Sequence, residues 1–237
     1  MPRLLTALTV TLLFAALGWA VGGVTLSGAA AGLVVAFALY YCIGPGAFGV
    51  LFAVFAMTWA ATRTGYARKQ RLGVAERRRG RRNAGQVLAN LGISGLCALL
   101  AWTLGARWPI IAAMAALAEA AADTASSECG EAWSDAAYLV TGFRTVQPGT
   151  DGAISLAGSL AGVSAAIVAC AVAGALQVIS WPAAAYAALA GILGTVVDSI
   201  LGATLERRGL LNNNAVNLLG TASAALLAIA FTYGRPT

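Results

Sequence analysis

The chain alternates long apolar runs with short polar interruptions. The runs fall at roughly 3–20, 25–42, 46–63, 84–104, 108–125, 154–178, 181–204 and 213–233. A hydrocarbon core of about 30 Å takes about 20 apolar residues of helix, and each run approaches that length. In lipid every backbone N–H and C=O must find a partner within the protein, which leaves helices or a closed barrel. Barrel strands alternate apolar and polar residues over about ten positions, whereas these runs are continuous. The pattern predicts an all-α, polytopic transmembrane helical bundle of about eight spans. Arg3 precedes the first run as it would precede the apolar core of a signal peptide. No polar mature domain follows, however, and Gly22-Gly23 predicts a turn into a second span, so a retained helix is expected.

Polar residues divide the chain into three parts. Residues 1–63 form N-terminal transmembrane helices, residues 64–83 a basic loop, and residues 84–237 a transmembrane core that carries most of the polar positions within spans. With the basic loop placed in the cytoplasm, alternation puts Arg63, Arg68, Lys69, Arg71, Arg77, Arg78, Arg79, Arg81, Arg82, Arg144, Arg207 and Arg208 on that side. Only Arg3, Arg107 and Arg235 fall opposite. Such a bias sets orientation, and with eight spans it turns both termini outward.

Composition agrees. The 237 residues are 59% hydrophobic and 10% charged, with mean hydropathy +0.79, against about 25% charged in soluble domains. The net charge of +6 is concentrated in one loop, where topology accounts for it without a nucleic-acid partner. Cys42, Cys97, Cys129 and Cys170 are scattered singly, so neither a zinc site nor a disulfide framework is indicated. The absence of histidine excludes it as general base, phosphoryl acceptor or metal ligand.

The informative residues are the polar ones inside spans, because a charge there costs about 2.5–3.5 kcal/mol on insertion scales and is normally turned to a protein interior or a watery cavity. Asp123 lies at the cytoplasmic end of the fifth span, one turn after Glu119. Asp198 lies in the cytoplasmic third of the seventh, with Gly194 and Gly202 on its face. The fourth span opens with Gln86 and Asn90 one turn apart, then Ser94; the eighth opens with Asn213 and Asn217 on one face, then Thr221. At 1.5 Å of rise per residue these groups share one level near the cytoplasmic surface. Interhelical hydrogen bonding alone accounts for Gln86, Ser94 or Thr221, but four helices placing amides and carboxylates at one depth predict a functional site.

The loop expected over residues 126–152 adds Ser127, Glu128, Arg144, Thr150 and Asp151 and opens a helix containing Ser155. Thr150–Ser155 could cradle a phosphate at that helix start, or Asp151 could serve as a plain N-cap. Glu131 and Asp135 read as a solvated loop face, and Gly158-x-x-x-Gly162 as helix packing. Arg81 and Arg82 adjoin the Gln86 stripe, so one of them could meet an anionic headgroup. Carboxylates and amides are hard ligands that suit Mg²⁺, arginines hold phosphate, and together these parts suit phosphoryl transfer, in which catalysis is mainly positioning and charge neutralisation. There is no GxxxxGK[ST] loop. From side-chain chemistry alone the expectation is a metal-dependent enzyme acting on a lipid phosphate. The competing expectations are a transporter or lipid carrier using Asp123 and Asp198 as cation or proton sites, and a subunit whose polar residues only join helices.

Four ordered motifs resemble one family: Arg81-Arg82-Asn83-x-x-Gln86-Val87-x-x-Asn90, Ala122-Asp123-Thr124-x-x-Ser127-Glu128-x-Gly130, Asp198-Ser199-x-Leu201-Gly202-Ala203-Thr204 and Asn213-Asn214-Ala215-Val216-Asn217. They are similar to those of the transmembrane protein 19 family, also catalogued as domain of unknown function ninety-two, which includes plant phytyl-phosphate kinase. The resemblance implies a kinase that uses a nucleoside triphosphate to convert a prenyl phosphate to the diphosphate. Carried onto these positions, Asp123, Glu128 and Asp198 become metal and acid–base candidates. Asn90, Asn213 and Asn217, with Gln86, Ser127 and Ser155, would orient phosphate or metal, and Arg82 or Arg144 would hold anionic oxygens. The chain departs from the pattern at Thr150-Asp151-Gly152-Ala153, where Ser or Asn and two glycines are expected, and at Glu206, where glutamine is expected.

Overall fold

Proline and short polar caps mark where the helices start. Pro45, Pro109 and Pro182 stand in the first turns of their helices, where a missing N–H costs nothing. Thr25, Asn83, Ser155, Ser180 and Asn212 each accept a backbone N–H as N-caps. The computed structural model describes residues 2–75 and 77–233, and Glu76 and Arg235 lie outside them. The described residues contain eight spans: α1 (Pro2–Ala20), α2 (Leu26–Ala38, continued by a π turn Leu39–Ile43), α3 (Pro45–Arg63), α4 (Ala84–Leu104), α5 (Trp108–Trp133), α6 (Leu156–Ala175), α7 (Trp181–Leu201, continued by a π turn Gly202–Glu206) and α8 (Asn213–Thr232). All eight are long and apolar enough to cross a membrane, as the sequence predicts.

Two local expectations are corrected. The fifth helix does not stop near residue 125 but continues to Trp133, because no proline or glycine pair breaks it. Ser127, Glu128 and Glu131 are therefore helical rather than loop residues. The connection to α6 is not irregular throughout, since it holds a three-stranded antiparallel sheet of order β2-β1-β3, with β1 Ala137–Leu139, β2 Thr145–Val146 and β3 Ala153–Ile154.

Helix α5 is the centre of the bundle and packs on α3, α4, α6, α7 and α8. Its run of buried alanines, from Ala112 to Ala122, lets neighbouring backbones approach closely. A Cβ at Gly158 would lie 2.4 Å from the Ser126 carbonyl oxygen, and one at Gly162 2.9 Å from that of Ala122. This pair on α6 is therefore a packing seam, as expected. Leucines such as Leu13, Leu160 and Leu226 stay exposed on the outside of the bundle, as a lipid-facing surface requires.

The basic segment is tied to the α1–α2 turn. Arg82 N–H donates to Gly23 O (3.0 Å) and Thr25 N–H to Arg82 O (3.0 Å). Arg81 donates through Nη2 to Trp19 O (2.9 Å) and through Nε to Val24 O (3.2 Å). Arg81 thus acts as a staple, and the backbone of its neighbour is fixed at the start of α4.

Candidate functional site

At the basic end of the bundle a cavity of about 230 Å³ opens between α4, α5, α7, α8 and the β2–α6 connection. Of the residues singled out from sequence, Asp123, Glu128, Asp198, Arg82, Gln86, Asn90, Ser127, Ser155, Asn213 and Asn217 all line it. Arg144 does not. It is exposed beyond β1, where its carbonyl accepts the Leu139 N–H.

The polar residues on α4 and α8 hold one another in place. Asn83 and Gln86 form a capping box, two reciprocal bonds that fix the first turn of α4. Asn90 Nδ2 donates to Gln86 O (2.9 Å), and its Oδ1 accepts from Asn217 Nδ2 (3.4 Å). Thr221 Oγ1 donates to Asn217 O (3.0 Å). Arg82 Nη2 donates to Thr124 Oγ1 on α5 (3.0 Å), so the guanidinium is held at the cavity wall beside Asp123. Ser155 rather than Asp151 is the N-cap of α6, its Oγ accepting the Gly158 N–H.

Two buried ionisable groups beside the site escaped the sequence. The first is Lys69, the chain's sole lysine. It lies on a short helix, Tyr66–Leu72, and is fully buried. Its Nζ donates to Thr62 O (2.8 Å), Ala61 O (3.3 Å) and Glu128 Oε2 (2.5 Å). Three donors thus meet two end carbonyls of α3 and one carboxylate. The only available signal was a single lysine among fourteen arginines. The second is Glu119, whose carboxyl is fully buried with neither oxygen partnered, and Asp198 Oδ2 is likewise unpartnered. The two acids adjoin, because a Cβ built at Gly220 would lie 2.5 Å from Glu119 Oε1 and 3.2 Å from Asp198 Oδ2. Gly194 makes room on the other side, with Glu119 Cγ 2.9 Å from where its Cβ would stand.

The β2–α6 connection closes the cavity. Gly152 (φ +70°) lies flat on the π turn after α7, so that a Cβ there would meet Ala203 N at 2.1 Å. That contact brings Asp151 and Glu206, the two departures from the family pattern, to the same wall.

Among the described residues the lining therefore holds six carboxylates (Asp123, Glu128, Glu131, Asp151, Asp198 and Glu206) and one cation, Arg82, with Lys69 neutralising Glu128 from behind. Such a cavity disfavours a bare phosphate, and divalent cations would offset that repulsion. Among the described residues no three His, Cys, Asp or Glu side chains are grouped to hold an ion by themselves. Mg²⁺ needs no such group, since it takes one or two carboxylates and completes its shell with water and phosphate oxygens. Asp198, which lines the cavity and keeps one oxygen unpartnered, fits that requirement.

The sequence pattern of the integral membrane protein DUF92 family matches residues 9–225. The chain is 32% identical over 217 residues to the chloroplastic Protein VTE6 of Arabidopsis thaliana, covering 88% of this chain and 65% of that protein, just under two thirds of the relative's length. It is 34% identical over 206 residues to the uncharacterised membrane protein MJ0933 of Methanocaldococcus jannaschii, covering 81% and 78%. To the uncharacterised membrane protein sll0875 of Synechocystis it is 32% identical over 187 residues, covering 76% and 71%. No solved structure matches.

Proposed function

The chain belongs to the integral membrane protein DUF92 family, and from that premise we propose that it is a Mg²⁺-dependent prenyl-phosphate kinase working at the cytoplasmic face. The observation that carries the reading is the acidic cavity, with a single arginine among its described lining residues, set at the end of the bundle that carries the basic segment. A phosphate oxygen of the lipid monophosphate attacks the terminal phosphorus of a nucleoside triphosphate. The bond from that phosphorus to the nucleoside diphosphate breaks, and a lipid diphosphate forms. Bound Mg²⁺ would neutralise phosphate charge, and Asp123 and Asp198 are the carboxylates to hold it. Arg82 would grip non-bridging oxygens through the donors that Thr124 does not take. The Asn90–Asn217 pair fixes the spacing of α4 and α8, so that reacting groups meet at a set separation. Glu128, held by Lys69, orients the α5 end of the site. The resemblance to phytyl-phosphate kinase motifs supports the choice of a prenyl acceptor.

Purified protein in lipid nanodiscs, given Mg²⁺, nucleoside triphosphates and prenyl monophosphates of several lengths, should yield prenyl diphosphate by mass spectrometry. No product from folded protein with any pair would end the reading. A second reading, a cation or proton carrier, is favoured by the unpartnered carboxyls of Glu119 and Asp198, which continue the acidic site deeper into the bundle. Ion flux into sealed vesicles without chemical turnover would support it, and turnover without flux would exclude it.

A further inference from the structure

A second, apolar cavity of about 80 Å³ lies beside the acidic one among α1, α2, α3 and α4, and the proposed chemistry does not use it. Phe14, Leu51, Val54, Phe55 and Leu91 form its walls. Two of its lining residues, Arg82 and Asn90, also line the acidic cavity. We propose that this cavity receives the apolar tail of the lipid monophosphate, with Arg82 and Asn90 marking the junction between tail and phosphate; the inference rests on the lipid-phosphate reading of the acidic site.

Three further observations support that occupant. Of the other polar side chains around the cavity, all but Thr62 have partners elsewhere. Thr58 Oγ1 donates to Phe55 O, while Trp59 Nε1 and Arg63 Nη2 both donate to Val21 O. The walls thus offer a ligand apolar surface, with Arg82 at one end.

Depth is the second. Phe14 lies six residues before the end of α1 and Leu91 seven residues into α4, so the cavity descends about 10 Å from the basic end. That is the upper third of a hydrocarbon core of about 30 Å, the depth at which the first part of a tail would lie below a phosphate held at the surface.

Space is the third. Gly23 and Gly28 are tightly enclosed, a Cβ at each falling 2.9 Å from Phe55 and 2.2 Å from Arg82 O, whereas a Cβ at Gly32 would meet nothing within 4 Å. The cavity is therefore closed at the surface turn and open along α2, as a slot for a chain continuing into lipid would be.

The test uses a farnesyl monophosphate bearing a photoactivatable diazirine near the tail end, bound to the whole protein in nanodiscs. Crosslinks should map to α1–α4 around Phe14, Gly32, Leu51 and Leu91, and unlabelled farnesyl monophosphate should compete them away. Gly32→Leu, which fills the slot, should lower crosslinking and raise KM for the lipid at least fivefold with KM for nucleotide unchanged. Gly32→Ala reports the same trend if the larger variant does not fold. Crosslinks confined to outward residues such as Leu160 and Leu226, or crosslinking by a phosphate-free farnesyl probe at equal strength, would overturn the assignment. Crosslinks in the slot without any turnover would leave it standing and fail the kinase reading alone.

Discussion

Replacing Lys69 by methionine removes one charge from a largely buried pair. Lys69 is fully buried and Glu128 is 7% exposed, and the ammonium also fills two carbonyls at the end of α3. Methionine keeps the stem's volume but leaves the Glu128 carboxylate buried without its counter-charge. Breaking a buried pair from one side costs about 3–5 kcal/mol, while replacing both partners by neutral groups is often neutral or stabilising. Lys69→Met should therefore lower the unfolding free energy by about 3–5 kcal/mol, and Lys69→Met/Glu128→Gln should recover most of that loss. The assay is SDS-driven unfolding in mixed micelles, followed by tryptophan fluorescence. Because the pair is buried, the loss should be nearly unchanged between low and high salt, unlike that of an exposed pair such as Arg68–Asp135. A single variant within about 1 kcal/mol of wild type, or a double variant no more stable than the single, would refute the assignment of Lys69–Glu128 as a structural pair.

Three other variants probe the site. Gly220→Ala puts a methyl 2.5 Å from Glu119 Oε1 and 3.2 Å from Asp198 Oδ2, so kcat should fall at least tenfold with folding retained by gel filtration; an active enzyme would show that the Asp198 position is not critical. Glu119→Met removes two buried, unpartnered oxygens and should raise the SDS midpoint, by about 1–3 kcal/mol in free energy; a lower midpoint would show that the carboxyl holds a partner. Gly152→Ala strains a φ of +70° and meets Ala203 N at 2.1 Å, so the β2–α6 connection should lift and KM for nucleotide should rise; an unchanged KM would place nucleotide elsewhere.

Span positions were legible because lipid imposes one strong rule, a long apolar run, and the helices follow it to within a few residues except at the end of α5. There the run Ser126-Ser127-Glu128 imitates a loop, since a helix lining a polar cavity carries polar residues for the same reason a loop does. Strands of two or three residues are too short for a period-two signal, so β1–β3 were not foreseen. The depth coincidence of Asp123, Asp198, Asn90 and Asn217 was readable, because helical rise converts sequence position into height. Burial and pairing were not, because they depend on which face meets which neighbour. Lys69 looked like one more charge in a basic loop, and Glu119 like a residue one turn from the interesting one. Arg144 illustrates the converse, since its position in the chain suggested the site while a short turn points it away.

The most direct measurement follows the label of a nucleoside triphosphate carrying ³²P at its terminal phosphate, incubated with Mg²⁺, a prenyl monophosphate and either wild-type protein or Asp198→Asn in nanodiscs. Wild type should place the label in the outer phosphate of the prenyl diphosphate, with EDTA and Asp198→Asn each abolishing transfer. Label appearing only as inorganic phosphate, or transfer that survives Asp198→Asn undiminished, would contradict phosphoryl transfer at this cavity.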